Sequence, residues 1–167
     1  MRHIFINVIA NGQVDFKSPY TAAHQPSIRE CAMIGTDSED DSFRLEMTEP
    51  SGFNLNVYSN LIGAGAVVVG HSVEFHHGYL RAAMIPMGLD PCDNRVKTIC
   101  TMLSLADVGV KSGGRKGWPK FQEACDYFHI TRAGTESAED NARCLLQVFR
   151  GMENIGVVPE VRVWKER

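Results

Sequence analysis

The chain's architecture turns on residues 67–80, "VVVGHSVEFHHGYL". Val67, Val68 and Val69 are β-branched and do not alternate with polar residues, which suits a parallel strand covered on both faces. Gly70 closes that strand and His71 follows it. Phe75, Tyr79 and Leu80 then fall at helical spacing, so a helix is expected over 72–85, stopping before Pro86.

Outward from this junction, residues 3–9 are β-branched and aromatic, and Asn11-Gly12 ends them in a turn. Two further strands are expected at 28–36 and 42–48, with "TDSEDD" between them as a solvated acidic hairpin tip. Residues 53–64 stay undecided, because Asn, Gly and Ser dilute any helical pattern. A short strand is expected at 95–99 and a helix from near Thr98 to Asp107. The segment "VKSGGRKGWPK" reads as a basic loop with Lys111, Arg115, Lys116 and Lys120 around Trp118. Helix resumes after Pro119, which suits a first helical turn. Phe121, Ala124, Cys125 and Phe128 form one stripe of that helix. A last helix is expected over 137–152 on Ala138, Ala142, Leu145, Leu146 and Phe149. Strands first, then alternating helices and strands, predict an α/β chain: a mixed five-stranded sheet with helices on both faces. The expected core includes Ile4, Ile6, Val67, Val69, Phe75, Leu80, Phe121, Phe128, Leu145 and Phe149.

The bulk properties bound the function. At 167 residues there is room for one compact domain. It is assigned to 1–152, with 153–167 as a C-terminal extension whose alternation at Val161, Arg162, Val163 and Trp164 offers an edge for pairing. A net charge of −3 supplies no global attraction to nucleic acid, so any polyanion site is a local patch. Five scattered cysteines without a Cys-x-x-Cys pair argue against a zinc ribbon or disulfide framework and for free thiols in a reducing cytoplasm. The longest apolar run, "LIGAGAVVVG", is far short of a membrane span. Gly63, Gly65 and Gly70 precede the strand that a dinucleotide fingerprint should follow. Cys125 and His129 lie one helical turn apart, but no second pair completes a zinc site, and Cys125 is read as core.

The order of these motifs resembles the DnaQ-like (DEDDh) 3′–5′ exonuclease family, over roughly residues 1–152. "HSVEFHHGYL" is similar to the family's His-Asn-x-x-Phe-Asp-x-x-Phe-Leu at His71, Phe75, Tyr79 and Leu80. "WPKFQEACDYFHI" is similar to its Trp-Pro-Lys-Leu-x-Glu-Ala helix, ending in Phe-Gly-Ile, at Trp118, Pro119, Lys120, Glu123, Ala124, Phe128 and Ile130. "ESAEDNARCLL" matches the last helix at Ala138 and Ala142, and "IRECAMIG" resembles the second strand. The resemblance implies a ribonuclease-H-like fold and a centre where two divalent cations cut phosphodiesters.

On that resemblance the family's metal-binding and basic positions fall on Asn7, Ile9, His76, Asn141 and Glu136, and its threonine falls on Ala10. Hard cations such as Mg²⁺ require anionic oxygen ligands. These positions offer two amides, an imidazole, a hydrocarbon and one carboxylate, so no catalytic residue, metal or cofactor is expected. A substitute transition-metal site built from His71, His76, Glu136 and Asp140, with His77 nearby, is the alternative; against it, Ser137 and Asp140 sit at helix-capping spacing.

Three functions stay open on these residues. The first is a catalytically inactive exonuclease-like module acting as adaptor, inhibitor or decoy through protein–protein contacts. The second is a non-cleaving single-stranded nucleic-acid binder using Lys111, Arg115, Lys116, Trp118 and Lys120. The third is an active exonuclease with a remodelled metal site. A protein partner is expected first, single-stranded nucleic acid second and no membrane. The resemblance also allows a homo-oligomer.

Overall fold

The computed structural model describes residues 2–19, 22–36, 45–47, 51–110, 117–134 and 137–165. The strands are β1 (His3–Ala10), β2 (Ile28–Thr36), β3 (Leu45–Met47), β4 (Val67–Gly70), β5 (Lys97–Cys100) and β6 (Arg162–Val163). The helices are α1 (Gly52–Gly63), α2 (Val73–Met84), α3 (Thr101–Asp107), α4 (Phe121–Tyr127) and α5 (Ala138–Asn154). The sheet order is β3-β2-β1-β4-β5-β6. β1 pairs antiparallel with β2 and parallel with β4; β4 pairs parallel with β5. The expected mixed sheet is therefore present, with β6 added antiparallel at the β5 edge.

Side-chain parity in the central strands explains the two-sided core. In β1, Ile4, Ile6 and Val8 point to the face covered by α1 and α2 and join Val68, Leu55, Tyr58 and Leu80 there. Phe5, together with Val67 and Val69, points to the opposite face and packs under α5 on Ala138, Ala142, Leu145 and Phe149. Asn7 and Ile9 share the parity of Phe5, so they look toward α5. Ile9 is packed against that same cluster.

The chain passes from β4 into α2 in a very short turn. A Cβ on Gly70 would lie 2.9 Å from the Cα of Val73, and Ser72 adopts a left-handed φ of 65°. Only a side-chain-free residue at 70 lets the helix start that close to the strand.

Several expectations change. The undecided stretch 53–64 is α1: Ser51 caps it by accepting from the Asn54 N–H at 3.2 Å, and Leu55, Tyr58, Ser59 and Ile62 bury at helical spacing. Phe75 is not core. It is 44% exposed, on the outer side of the first turn of α2, against the ring of Phe16 at 5.6 Å. Phe121 and Phe128 are only partly buried. Trp164, expected on an exposed edge, is buried: its ring meets His77 edge-on at 4.8 Å, Arg81 lies over it, and its backbone N–H donates to Val96 C=O at 2.8 Å. Only β6 itself forms the edge, with Val161 and Val163 exposed. The acidic tip at 37–41, the outer parts of the 42–48 strand and the basic residues Lys111, Arg115 and Lys116 lie outside the described residues.

Candidate nucleic-acid interface

The carboxyl ends of β1, β4 and β5 meet the amino ends of α2, α4 and α5, and the residues singled out in the sequence gather there. His71, at the end of β4, is buried. Its Nε2–H donates to the Pro119 carbonyl at 2.8 Å, its Nδ1 accepts from the Thr101 hydroxyl at 3.1 Å, and its ring lies 5.3 Å from that of Phe121. Burial holds its pKa below the usual histidine value. His71 thereby pins the segment leading into α4 onto the sheet.

His76, in α2, closes the gap between two strands. Its Nδ1 accepts from the backbone N–H of Val8 at 3.1 Å, and its Nε2–H donates to the carbonyl of His71 at 3.1 Å. Since the amide must donate, the ring is the neutral Nε2–H tautomer, and burial pushes its pKa down to about 4. Both nitrogens of both rings are thus occupied, and neither has a lone pair to offer a metal.

Opposite them an amide chain crosses from β1 to α5. Asn141 Nδ2 donates to Asn7 Oδ1 across 3.4 Å, a long contact. Arg132 Nη2 donates to Asn141 Oδ1 at 2.7 Å, and its Nη1 donates to Gln122 Oε1 at 2.8 Å. The guanidinium lies 5.5 Å from the ring centre of Phe121. The carboxylates nearby have structural tasks: Asp140 accepts from the Ser137 hydroxyl at the α5 cap, and Glu30 accepts from the Ala138 N–H at 3.0 Å. Glu136 lies outside the described residues.

A divalent metal pair fits this donor set poorly. The amide oxygens of Asn7 and Asn141 already accept hydrogen bonds, the imidazoles are locked, Ile9 has no donor, and a guanidinium sits in the middle of the cluster. Among the described residues no group of three or more His, Cys, Asp or Glu is placed to hold a metal ion. Of the four residues considered for a substitute metal site, His71 and His76 serve as structural links, Asp140 accepts from the Ser137 hydroxyl at the start of α5, and Glu136 lies outside the described residues.

Of the basic loop, Trp118 and Lys120 are described, and both are exposed. Trp118 lines a groove of 600 Å³ with Phe16, Phe75, Met102, Glu74 and Lys165. Phe75 and Trp118 are 44% and 38% exposed and line the same groove. Sequence reasoning placed Trp118 here but missed Phe16, Lys165 and Arg132. Phe16 lies in the long connection after β1, Lys165 just past β6 and Arg132 in the α4–α5 connection, and none belongs to a periodic stripe or motif.

Neither a family model nor a curated protein matches the chain. Solved structures do match in fold. The nuclease domain of 3′hExo, a DEDDh family member bound to rAMP, superposes with a TM-score of 0.66 at 11% identity, covering 99% of this chain and 97% of that one. Cell-death related nuclease 4 (CRN-4) gives 0.61 at 12% identity, over 96% of this chain and 66% of that one. E. coli Exonuclease I in complex with a dA16 oligonucleotide gives 0.60 at 11% identity, over 92% of this chain and 41% of that one. The architecture is the ribonuclease-H-like fold of these nuclease domains. This corrects the expectation of a catalytically inactive adaptor, inhibitor or decoy. The fold neighbours are nucleases, two of them seen with a nucleotide or an oligonucleotide, and no loss of activity is demonstrated by the placement of these residues. The free pairing edge behind that expectation is also reduced, because Trp164 turns inward. Among the described residues no helix is long and apolar enough to cross a membrane.

Proposed function

We propose that the protein binds single-stranded nucleic acid along the groove at the carboxyl ends of β4 and β5. The observation that carries this reading is the convergence of exposed Phe75 and Trp118, with Phe16 edge-on to Phe75, on one groove that also holds Lys165. Bases stack on such rings whatever their sequence, and a basic side chain tracks the backbone. The polar rim is mixed: Arg162 is paired with Glu160, and Glu74 also lines the groove. Stacking rather than charge therefore dominates, in keeping with a net charge of −3. The nucleotide and oligonucleotide complexes of the fold neighbours support a strand as the ligand.

The test is fluorescence anisotropy with a labelled single-stranded oligonucleotide of about eight nucleotides, over a salt series. Stacking is worth about 1–3 kcal/mol per base, so Trp118→Ala is expected to weaken binding by about tenfold, and the pair Phe75→Ala with Trp118→Ala by more. Duplex of the same sequence should bind more weakly, because its bases are already stacked. Indifference to both substitutions, or equal affinity for duplex, would refute the reading. Mononucleotide release with added Mg²⁺ or Mn²⁺, followed in the same samples, reports whether a bound strand is also cut.

A further inference from the structure

Arg132 lies in the α4–α5 connection, and its guanidinium is held in a fixed orientation. Two of its five N–H groups donate to the neutral oxygens of Gln122 and Asn141, and its face rests on Phe121. No carboxylate among the described residues pairs with it. Asp126, which lines the same cavity, has its Oδ1 engaged by Gln122 Nε2 at 2.8 Å. The cavity in front of the guanidinium measures 710 Å³ and is walled by Gln122, Asp126, His129, Thr131 and Arg132, within the range of about 300–1,000 Å³ typical of small-ligand sites.

A half-buried cation that is oriented but not neutralised is a receptor for an anion. The planar fork favours an oxyanion with several coplanar acceptors. The geometry points to a phosphomonoester at the end of a strand as that anion: Arg132 supplies positive charge beside the amides of Asn141 and Asn7. A terminal phosphomonoester presents three free oxygens and nearly two charges, against two oxygens and one charge for an internal phosphodiester, so it gains most from the remaining N–H groups. Phe121, on which the guanidinium rests, and Trp118 of the aromatic groove are close in sequence. This inference rests on the strand-binding reading and names which end chemistry that site prefers.

The experiment compares one short single strand with a 3′-phosphate, with a 5′-phosphate and with neither, by anisotropy on the whole protein. Inorganic phosphate is titrated separately while the arginine side-chain N–H resonances are followed by NMR. A charge-assisted bond to phosphate predicts a preference of about tenfold or more for one phosphorylated strand. Arg132→Met should abolish the preference. Asn141→Asp keeps the guanidinium but neutralises it, and it should abolish the preference as well; it covers the case in which Arg132→Met fails to fold. Equal affinity for all three strands in the native protein, or a preference that survives Asn141→Asp, overturns the proposal. Phosphate shifting the Arg132 resonances with no strand bound would sink the groove reading and leave the anion site standing. Strands bound without preference, with Arg132 unmoved by phosphate, would do the reverse.

Discussion

His77 should make this protein acid-labile by a calculable amount. It lies in the middle of α2, wholly buried, with Nδ1 and the Tyr58 hydroxyl 2.9 Å apart and, among the described residues, no hydrogen-bond partner on Nε2. Trp164 closes the ring in from its edge. Desolvation is the main cause that pushes its pKa down to about 4 from 6.5; Asp93 opposes the shift and Arg81 adds to it. Between these two values the unfolded chain binds a proton that the folded protein refuses. Stability is therefore complete above about pH 6.5 and is lost as pH falls toward 4. At 1.36 kcal/mol per pKa unit, the step from pH 7 to pH 5 removes about 2 kcal/mol through His77 alone. That is a large part of a total on the order of 5–15 kcal/mol. His76, depressed by the same cause, acts in the same direction. The perturbation is His77→Gln, whose amide still reaches Tyr58 but does not titrate in this range. Urea unfolding of both proteins at pH 7 and pH 5 supplies four free energies, and contributions from the carboxylates cancel in the double difference. The variant should lose about 2 kcal/mol less than the native protein over this interval. Equal losses, or an NMR titration of His77 near pH 6.5 in the folded state, would refute the reasoning.

Other expectations follow from single contacts. Gly151→Ala would place a Cβ 2.6 Å from Phe128 Cδ1, and overpacking of that kind costs about 1–3 kcal/mol, readable as a lowered urea midpoint. Asp93→Asn would leave Arg81, whose side chain is only 7% exposed, without the carboxylate that takes its Nε and Nη2 hydrogen bonds at 2.5–3.0 Å. Breaking a buried pair costs about 3–5 kcal/mol, and partial exposure of Asp93 puts the expected loss at or below the lower end of that range. Strand binding should be unchanged by EDTA, since stacking rings and a guanidinium, not a metal, are assigned the ligand; a loss of affinity on chelation would count against that assignment.

Much of the fold was legible in the sequence because it is written in local periodicity. The unbroken valines of β4, the stripe of α5 and the β-branched and aromatic run of β1 depend only on which residue types stand there and how far apart they lie. α1 was not legible: its buried positions include Ser59, whose hydroxyl donates to the Asp90 carbonyl, so a polar residue stands where a stripe should continue. Phe75 misled in the other direction. Its spacing fits the helix, yet it falls on the outer side of the first turn, where its neighbour is Phe16 from a distant loop. The site was legible only as residue types. That His76 is locked between Val8 and His71 follows from how closely α2 returns to the sheet, and nothing in "EFHHG" announces it.

The sequence alone determined most of the succession of strands and helices, α1 excepted, because it follows from backbone repeats spanning a few residues. It also determined that amides, an imidazole and an isoleucine, rather than a set of acids, stand at Asn7, Asn141, His76 and Ile9. Only the tertiary structure decided what these groups touch. Asn7 and Asn141 are 134 residues apart in sequence, and Arg132 comes between Gln122 and Asn141 from an irregular connection. Such meetings depend on strand register and on loop paths, which hydrophobic patterning constrains weakly. For the same reason Trp164, drawn in by the gap between α2 and the sheet edge, became part of the core.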